Sequence, residues 1–144
     1  MKSSTLAFTL LTVVALIGAT VTALVSRLTI SNTGRMKTIG VGVYLDSACT
    51  DVVSTIDWET VEPGSSKNVT VYIRNEGNSV STLSINATNW NPPSASNYMS
   101  LSWDYGGQQL SPNQVIQVTL TLTISSAIQD ISSFTFDITI SSTG

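Results

Sequence analysis

Between Gln114 and Ser125 the chain reads QVIQVTLTLTIS, with Ile116, Val118, Leu120, Leu122 and Ile124 each separated by one polar residue. A side-chain period of two puts those apolar groups on one face of a β-strand and Gln117, Thr119, Thr121 and Thr123 on the other. A helix cannot gather the same spacing into one stripe. A chain that contains such a strand needs others to pair its backbone and cover its apolar face. The same period recurs in Lys67–Arg74, where Val69, Val71 and Ile73 point in and Asn68, Thr70, Tyr72 and Arg74 point out. Ser79–Thr88 continues it through Leu83, Ile85 and Ala87, and Tyr98–Tyr105 puts Met99, Leu101 and Trp103 on one face. Phe134–Ile140 ends the series with Phe134, Phe136, Ile138 and Ile140 inward.

Two weaker strands precede these. Met36–Leu45 places Ile39, Val41, Val43 and Leu45 on one face and Gly40 and Gly42 on the other, and Val52–Trp58 follows as a second strand. Turn chemistry separates the elements at Asp46–Asp51, at Glu62-Pro63-Gly64-Ser65, at Asn75-Glu76-Gly77-Asn78 and at Gly106-Gly107. Asn89–Asn97 is expected to be irregular, because Pro92 and Pro93 remove ladder donors. Ser126–Ser133 reads as a single helical turn or a crossover loop. The pattern predicts an all-β fold: an antiparallel two-sheet sandwich of about seven to eight strands, jelly-roll or immunoglobulin-like, behind an N-terminal hydrophobic helix.

That helix is expected from Leu6–Val25, which carries no charge, with Lys2 before it and Arg27 after it. About 20 apolar residues match the hydrocarbon thickness of a bilayer. Two readings fit. A cleavable signal peptide would end at Val21-Thr22-Ala23, with the cut after Ala23. An uncleaved anchor would span the membrane, although Lys2 set against Arg27, Arg35 and Lys37 decides its orientation poorly. A pilin-type helix behind a very short leader is a third reading, but the acidic residue such helices carry near their start is missing. In all three the remainder of the chain is exported, and the membrane is met only through this segment.

The composition agrees with export. Only 10% of the 144 residues are charged and the net charge is −3, while 22 serines and 20 threonines supply the polarity. There is no basic patch to hold nucleic acid. Cys49 is the single cysteine, which excludes an internal disulfide and reads as a small buried hydrophobe. Without histidine there is no Ser-His-Asp or Cys-His nucleophile and no His-based metal site, and no phosphate-cradling glycine loop is present. Asp46, Asp51, Asp57, Glu59 and Glu62 crowd one region, a spacing that a loop-borne calcium site would use. We read them as solvated turn acids and expect no metal and no cofactor. A small sandwich with few polar side chains beyond Ser and Thr is a poor frame for a glycosidase carboxylate pair. The chain is therefore not read as an enzyme. Two sequons, Asn68-Val69-Thr70 and Asn86-Ala87-Thr88, offer N-glycosylation at Asn68 and Asn86, whereas Asn91 is excluded by Pro92. Trp58, Trp90, Trp103, Tyr98 and Tyr105 suit the ends of a sandwich core better than a glycan-binding face.

Thr38–Trp58, Glu62–Asn78, Asn89-Trp90-Asn91-Pro92 and Leu101-Ser102-Trp103-Asp104 resemble a set of small secreted archaeal β-sandwich proteins. They are also similar to the subunits of archaeal bundling pili, which are related to the TasA/camelysin fibre proteins of bacteria. The likeness runs from Leu28 to Ile140 and lies in order and pattern. It implies a jelly roll that lacks one strand and is completed by the N-terminal strand of the next subunit. After a cut at Ala23 the new N-terminus is Leu24–Ser31. Leu24, Leu28 and Ile30 then share one face, opposite Val25, Arg27 and Thr29. The implied organisation is an export segment over 1–23, a donor strand and linker over 24–35 and a sandwich domain over 36–144. Such head-to-tail contacts do not close, so copies of this chain would form an extracellular homopolymer suited to adhesion, bundling or a biofilm scaffold. Against this stands an ordinary first strand, with Leu28 and Ile30 serving their own domain. The competing function is a membrane-anchored cell-surface module for adhesion or for binding glycans or envelope proteins.

Overall fold

The alternating segments pair into two four-stranded sheets. The computed structural model describes residues 30–144, with side chains from Asn32 onward. The expected export segment with its cut at Ala23, and Leu24 and Leu28, lie outside the described residues. One sheet holds β1 (Ile30–Ile39), β3 (Thr55–Asp57), β5 (Thr82–Asn91) and β8 (Ser133–Thr143) in the order β3-β1-β8-β5. The other holds β2 (Val41–Tyr44), β4 (Ser66–Asn75), β6 (Met99–Trp103) and β7 (Val115–Ile124) in the order β2-β4-β7-β6. The protein is an all-β two-sheet sandwich of eight strands.

The inward faces are those the period dictates. Val71 and Ile73 of β4, Val118, Leu120, Leu122 and Ile124 of β7, and Phe134, Phe136, Ile138 and Ile140 of β8 are all buried. Each such side chain stabilises the fold by about 1.5–3 kcal/mol when taken out of water. Phe136 lies at the aromatic centre of the core: Trp90 stacks on it at 4.2 Å between ring centroids, with Phe134 at 6.1 Å and Trp58 at 6.3 Å. Gly34 of β1 lies beneath this cluster. A Cβ there would stand 2.9 Å from Ile138 Cδ1 and 3.1 Å from Trp58 Nε1, so the residue is small because the core leaves no room.

The pairing departs from expectation at several points. β1 runs parallel to β8, from Ile30↔Ser133 and, past a register shift, from Thr33↔Thr135 to Ile39↔Ser141; the other strand pairs are antiparallel. Parallel neighbours need a long crossover, and here the rest of the chain supplies it. The strand expected over Met36–Leu45 is two strands in different sheets. Gly40, at φ +74°, turns the chain between them, and an added Cβ would lie 2.2 Å from Ser142 Oγ. Val41 and Val43 are buried as expected, but Ile39 and Leu45 are 62% and 51% exposed, because Ile39 falls on the outward face of β1 with Arg35 and Lys37 and Leu45 lies past the end of β2. Of Val52–Trp58 only Thr55–Asp57 is strand, while Val52 makes an isolated bridge to Tyr44. Asn89–Asn91 belongs to β5 after all. Its ladder shifts register between Thr88 and Asn91, and Pro92 and Pro93 follow at the end of an edge strand, where no inner ladder needs their donors. A 3-10 turn over Pro93–Asn97 then leads to β6. Ser126–Ser133 resolves into the crossover between sheets.

Replacing Gly34 by leucine is expected to destabilise the domain by about 3 kcal/mol or more, since overpacking here also displaces Ile138 and Trp58. Urea denaturation followed by tryptophan fluorescence measures it; an unchanged midpoint would contradict the packing described.

Candidate functional site: an open sheet edge

The two long sides of the sandwich are finished differently. On the β5/β6 side, the Tyr105 hydroxyl accepts the Leu83 N–H (3.1 Å), and Leu110 and Ser81 exchange backbone bonds of 2.8 and 3.0 Å. The start of β5 is thereby capped and the two sheets are joined there, while the rest of its outer flank meets no strand among the described residues. On the β3/β4 side, β2 has four residues against the ten of β4 and pairs only with Tyr72–Asn75. Ser66–Val71 has β7 on one flank and, among the described residues, no strand on the other.

The direction of the free groups follows from the ladder. Ile124 donates to the Ser65 carbonyl (2.8 Å) and Asn75 donates to the Gln114 carbonyl (3.1 Å). Antiparallel bonds fall on alternate residues, so between those points the odd-numbered positions of β4 bond to β7. The even-numbered ones face away. Arg74 and Tyr72 are met there by Gly42 and Tyr44 of β2. The N–H and C=O groups of Ser66, Asn68 and Thr70 face the same way and meet no strand among the described residues. Beside this edge is a recess of about 220 Å³ lined by Asp57, Trp58, Glu59, Lys67, Asn68 and Val69. Val69 is only half-buried although it points inward, as a core residue would be if its covering layer were incomplete. β5 beyond Leu83 and five-residue β6 also have outer flanks with no strand beside them among the described residues, but neither adjoins this recess.

Polar contacts fasten β2 where it stops. The Tyr44 hydroxyl donates to the Glu76 carboxylate, and Arg74 Nη2 donates to both Tyr44 Oη and Glu76 Oε1 at 2.9 Å. The guanidinium also lies 5.1 Å from the Tyr44 ring centroid. The Tyr44 hydroxyl and then Arg74 hold the Glu76 carboxyl below its ordinary range, and the bond to Glu76 pushes the Tyr44 hydroxyl up. At the same side, Lys67 and Glu59 form a loose, solvated ion pair of 3.9 Å.

The residues singled out from sequence separate here. Ile30 opens β1 and pairs with Ser133 of its own domain, so the sandwich begins ahead of Met36. Asn68 and Asn86 are both exposed, the first on the open edge of β4 and the second on β5, and Asn68 Oδ1 accepts the Thr121 hydroxyl at 2.9 Å. The crowded carboxylates do not converge: among the described residues no three of them gather as metal ligands. Asp46 is spent on its own turn, accepting the N–H groups of Thr50 and Asp51 at 2.9 Å and the Thr50 hydroxyl. The aromatics form no single face, since Trp58 and Trp90 pack on Phe136 while Trp103 and Tyr105 meet each other at 5.1 Å. Cys49 is half-buried in the loop after β2, not in the core.

Asp137 had no sequence signal beyond its alternation, yet it is buried on the outer face of β8. Arg35 Nε lies 3.1 Å and Lys37 Nζ 2.9 Å from its two oxygens, and Asn89 Nδ2 donates at 2.7 Å. The Asn89 amide, then Lys37 and Arg35, hold this carboxyl far below the usual range. One carboxylate thus ties β1, β8 and β5 together.

Comparison with known proteins finds no family model and no characterised protein that matches the chain.

A carboxylate whose pKa falls on folding stabilises the native state above its unfolded value, near 3.9, and loses that contribution as the pH drops toward the folded value. Asp137→Asn should therefore lower stability most above about pH 5, and the difference from wild type should shrink on acidification towards about pH 2. Denaturation midpoints of both proteins across that range check it; a constant difference would show that the charge is irrelevant.

Proposed function

We propose that the chain is a structural subunit of an extracellular filament, assembled head-to-tail when the N-terminal strand of one copy adds to the sandwich of the next. The observation that carries this reading is the open half of β4. A ten-residue strand paired over four residues leaves a site for one more short strand, in line with β2. Strand addition of this kind draws affinity from main-chain bonds and specificity from alternate side chains seated in a recess.

The N-terminus is suitably placed to leave its own domain. Trp58 N–H bonds to the Asn32 carbonyl and Asn32 Nδ2 to the Glu59 carbonyl, so the start of β1 lies at the end of the sandwich that carries the recess. Because Ile30 is paired within its own sheet, the donated part is Leu24–Thr29, six residues beside the six of Ser66–Val71. Leu24 and Leu28 supply the inward apolar groups, and cleavage after Ala23 releases them. Consecutive strands alternate between the sheets at every connection but that of β6 to β7, which favours the jelly-roll side of the expected topology. The function is structural rather than catalytic. An anchored monomer is the competing reading.

Protein isolated from its native surface is expected to begin at Leu24 by mass spectrometry and to form long polymers by electron microscopy. Asn68→Pro removes an outward N–H that the domain itself does not use, so it should fold yet stay monomeric. Asn68→Gln keeps that N–H and should polymerise. Polymers from the proline variant, or monomers from wild type at high concentration, would defeat strand donation at β4.

A further inference from the structure

We infer that the outer face of the β3-β1-β8-β5 sheet carries a binding cleft for an acidic saccharide, a glycan with a uronate carboxylate. The site is separate from the open edge of β4 and does not rest on the filament reading.

The cleft arises from two neighbouring rows across the strands. Thr55, Arg35 and Asp137 stand side by side in one row; Asp57, Thr33, Thr135 and Asn91 stand in the next. The second row holds only short side chains, and the register shift in β5 brings Asn89, at φ +55°, across to Asp137. A floor of short polar groups beside a taller wall leaves a cleft of about 410 Å³. Thr33, Thr55, Thr135 and Asn91 line it, and their side chains take no hydrogen-bond partner among the described residues. Three hydroxyls and an amide are thus free to donate and accept in one concavity. Neighbouring strands stand about 4.8 Å apart, comparable to one pyranose ring. Such a surface suits a ligand rich in hydroxyls.

Arg35 adds the acidic preference. Its Nε is fixed on Asp137 Oδ1, which orients the guanidinium, while the side chain remains 67% exposed and its terminal nitrogens have no partner among the described residues. A planar guanidinium held in this way presents a fork that matches a carboxylate. Lys37 shares Asp137 from outside the cleft, so the Arg35 guanidinium is not fully neutralised by that carboxylate. The nearby Asp57 carboxylate accepts the Glu59 N–H at 2.8 Å at the β3 end, which directs an incoming carboxylate to the Arg35 end. Trp90 and Phe136 spend their faces on each other inside the core, so the cleft has no aromatic platform and recognition rests on hydrogen bonds and the ion pair.

The test is an amide chemical-shift titration of the full chain in non-ionic detergent, with tetragalacturonate and with neutral maltotetraose. Saturable shifts on Thr33, Arg35, Asn91 and Thr135 are expected with the uronate, roughly tenfold weaker affinity for the neutral sugar, and loss of the difference at high salt. Arg35→Gln should weaken uronate binding roughly tenfold, to the level of the neutral sugar. Thr135→Val leaves the Arg35–Asp137 pair intact and should weaken it several-fold, with the thermal midpoint of each variant reporting on folding. No saturation by about 10 mM, equal binding of both sugars, shifts mapping elsewhere, or undiminished binding by a folded Arg35→Gln or Thr135→Val variant would each overturn the assignment.

Discussion

The parallel pairing of β1 with β8 is the contact on which the rest of this sandwich depends. It places the first described strand in the interior of a sheet, between β3 and β8. Without β1, β8 would expose the ladder groups of a full flank, and three-residue β3 would lose its strand partner. The apolar floor under Trp58 and Ile138 would go with it. The same pairing brings Arg35 and Lys37 opposite Asp137, so a carboxylate on an outer sheet face can be buried without being left uncompensated.

An interior place for β1 also limits what the N-terminus can give away. Ile30 is engaged within its own domain, so any exchange with a second copy involves only the residues before it. The unpaired flank lies on the other sheet, where Gly40 turns the chain, β2 runs for only four residues, and β4 continues past it. The Tyr44–Glu76–Arg74 contacts hold β2 at that length. Shortness of one strand is thus the origin of the open edge of its neighbour. On the opposite side Tyr105 and the Ser81–Leu110 bridge join the two sheets at the start of β5.

Much of the architecture was legible in the amino-acid order, and what was not has a common cause. Period-two alternation identifies faces, so the inward residues of β4, β7 and β8 followed directly from Val71, Leu120 and Phe136 and their like-facing neighbours. Alternation does not identify partners. The parallel register of β1 on β8, the burial of Asp137 and the free flank of Ser66–Val71 are all products of which strands meet across long sequence separations, and no local pattern encodes them. Gly40 and Gly42 both lie where side chains approach closely, and Gly40 in addition turns the chain from one sheet to the other. Pro92 and Pro93 were read as ending regular structure too early, because an edge strand tolerates them at its end. For the same reason the open edge was implied by resemblance alone until the pairing located it.

The parallel terminal strands have a mechanical consequence. β1 enters at one end of the sandwich, and β8, running beside it in the same direction, finishes at the other. Tension applied between the two ends of the domain therefore acts along the strands and loads the β1–β8 rungs in shear, all together, instead of peeling them one at a time. The Asp137 contacts lie between the two strands and resist the same sliding motion. A domain wired in this way transmits a pull from one end to the other without unravelling from either, whichever neighbour or surface holds it.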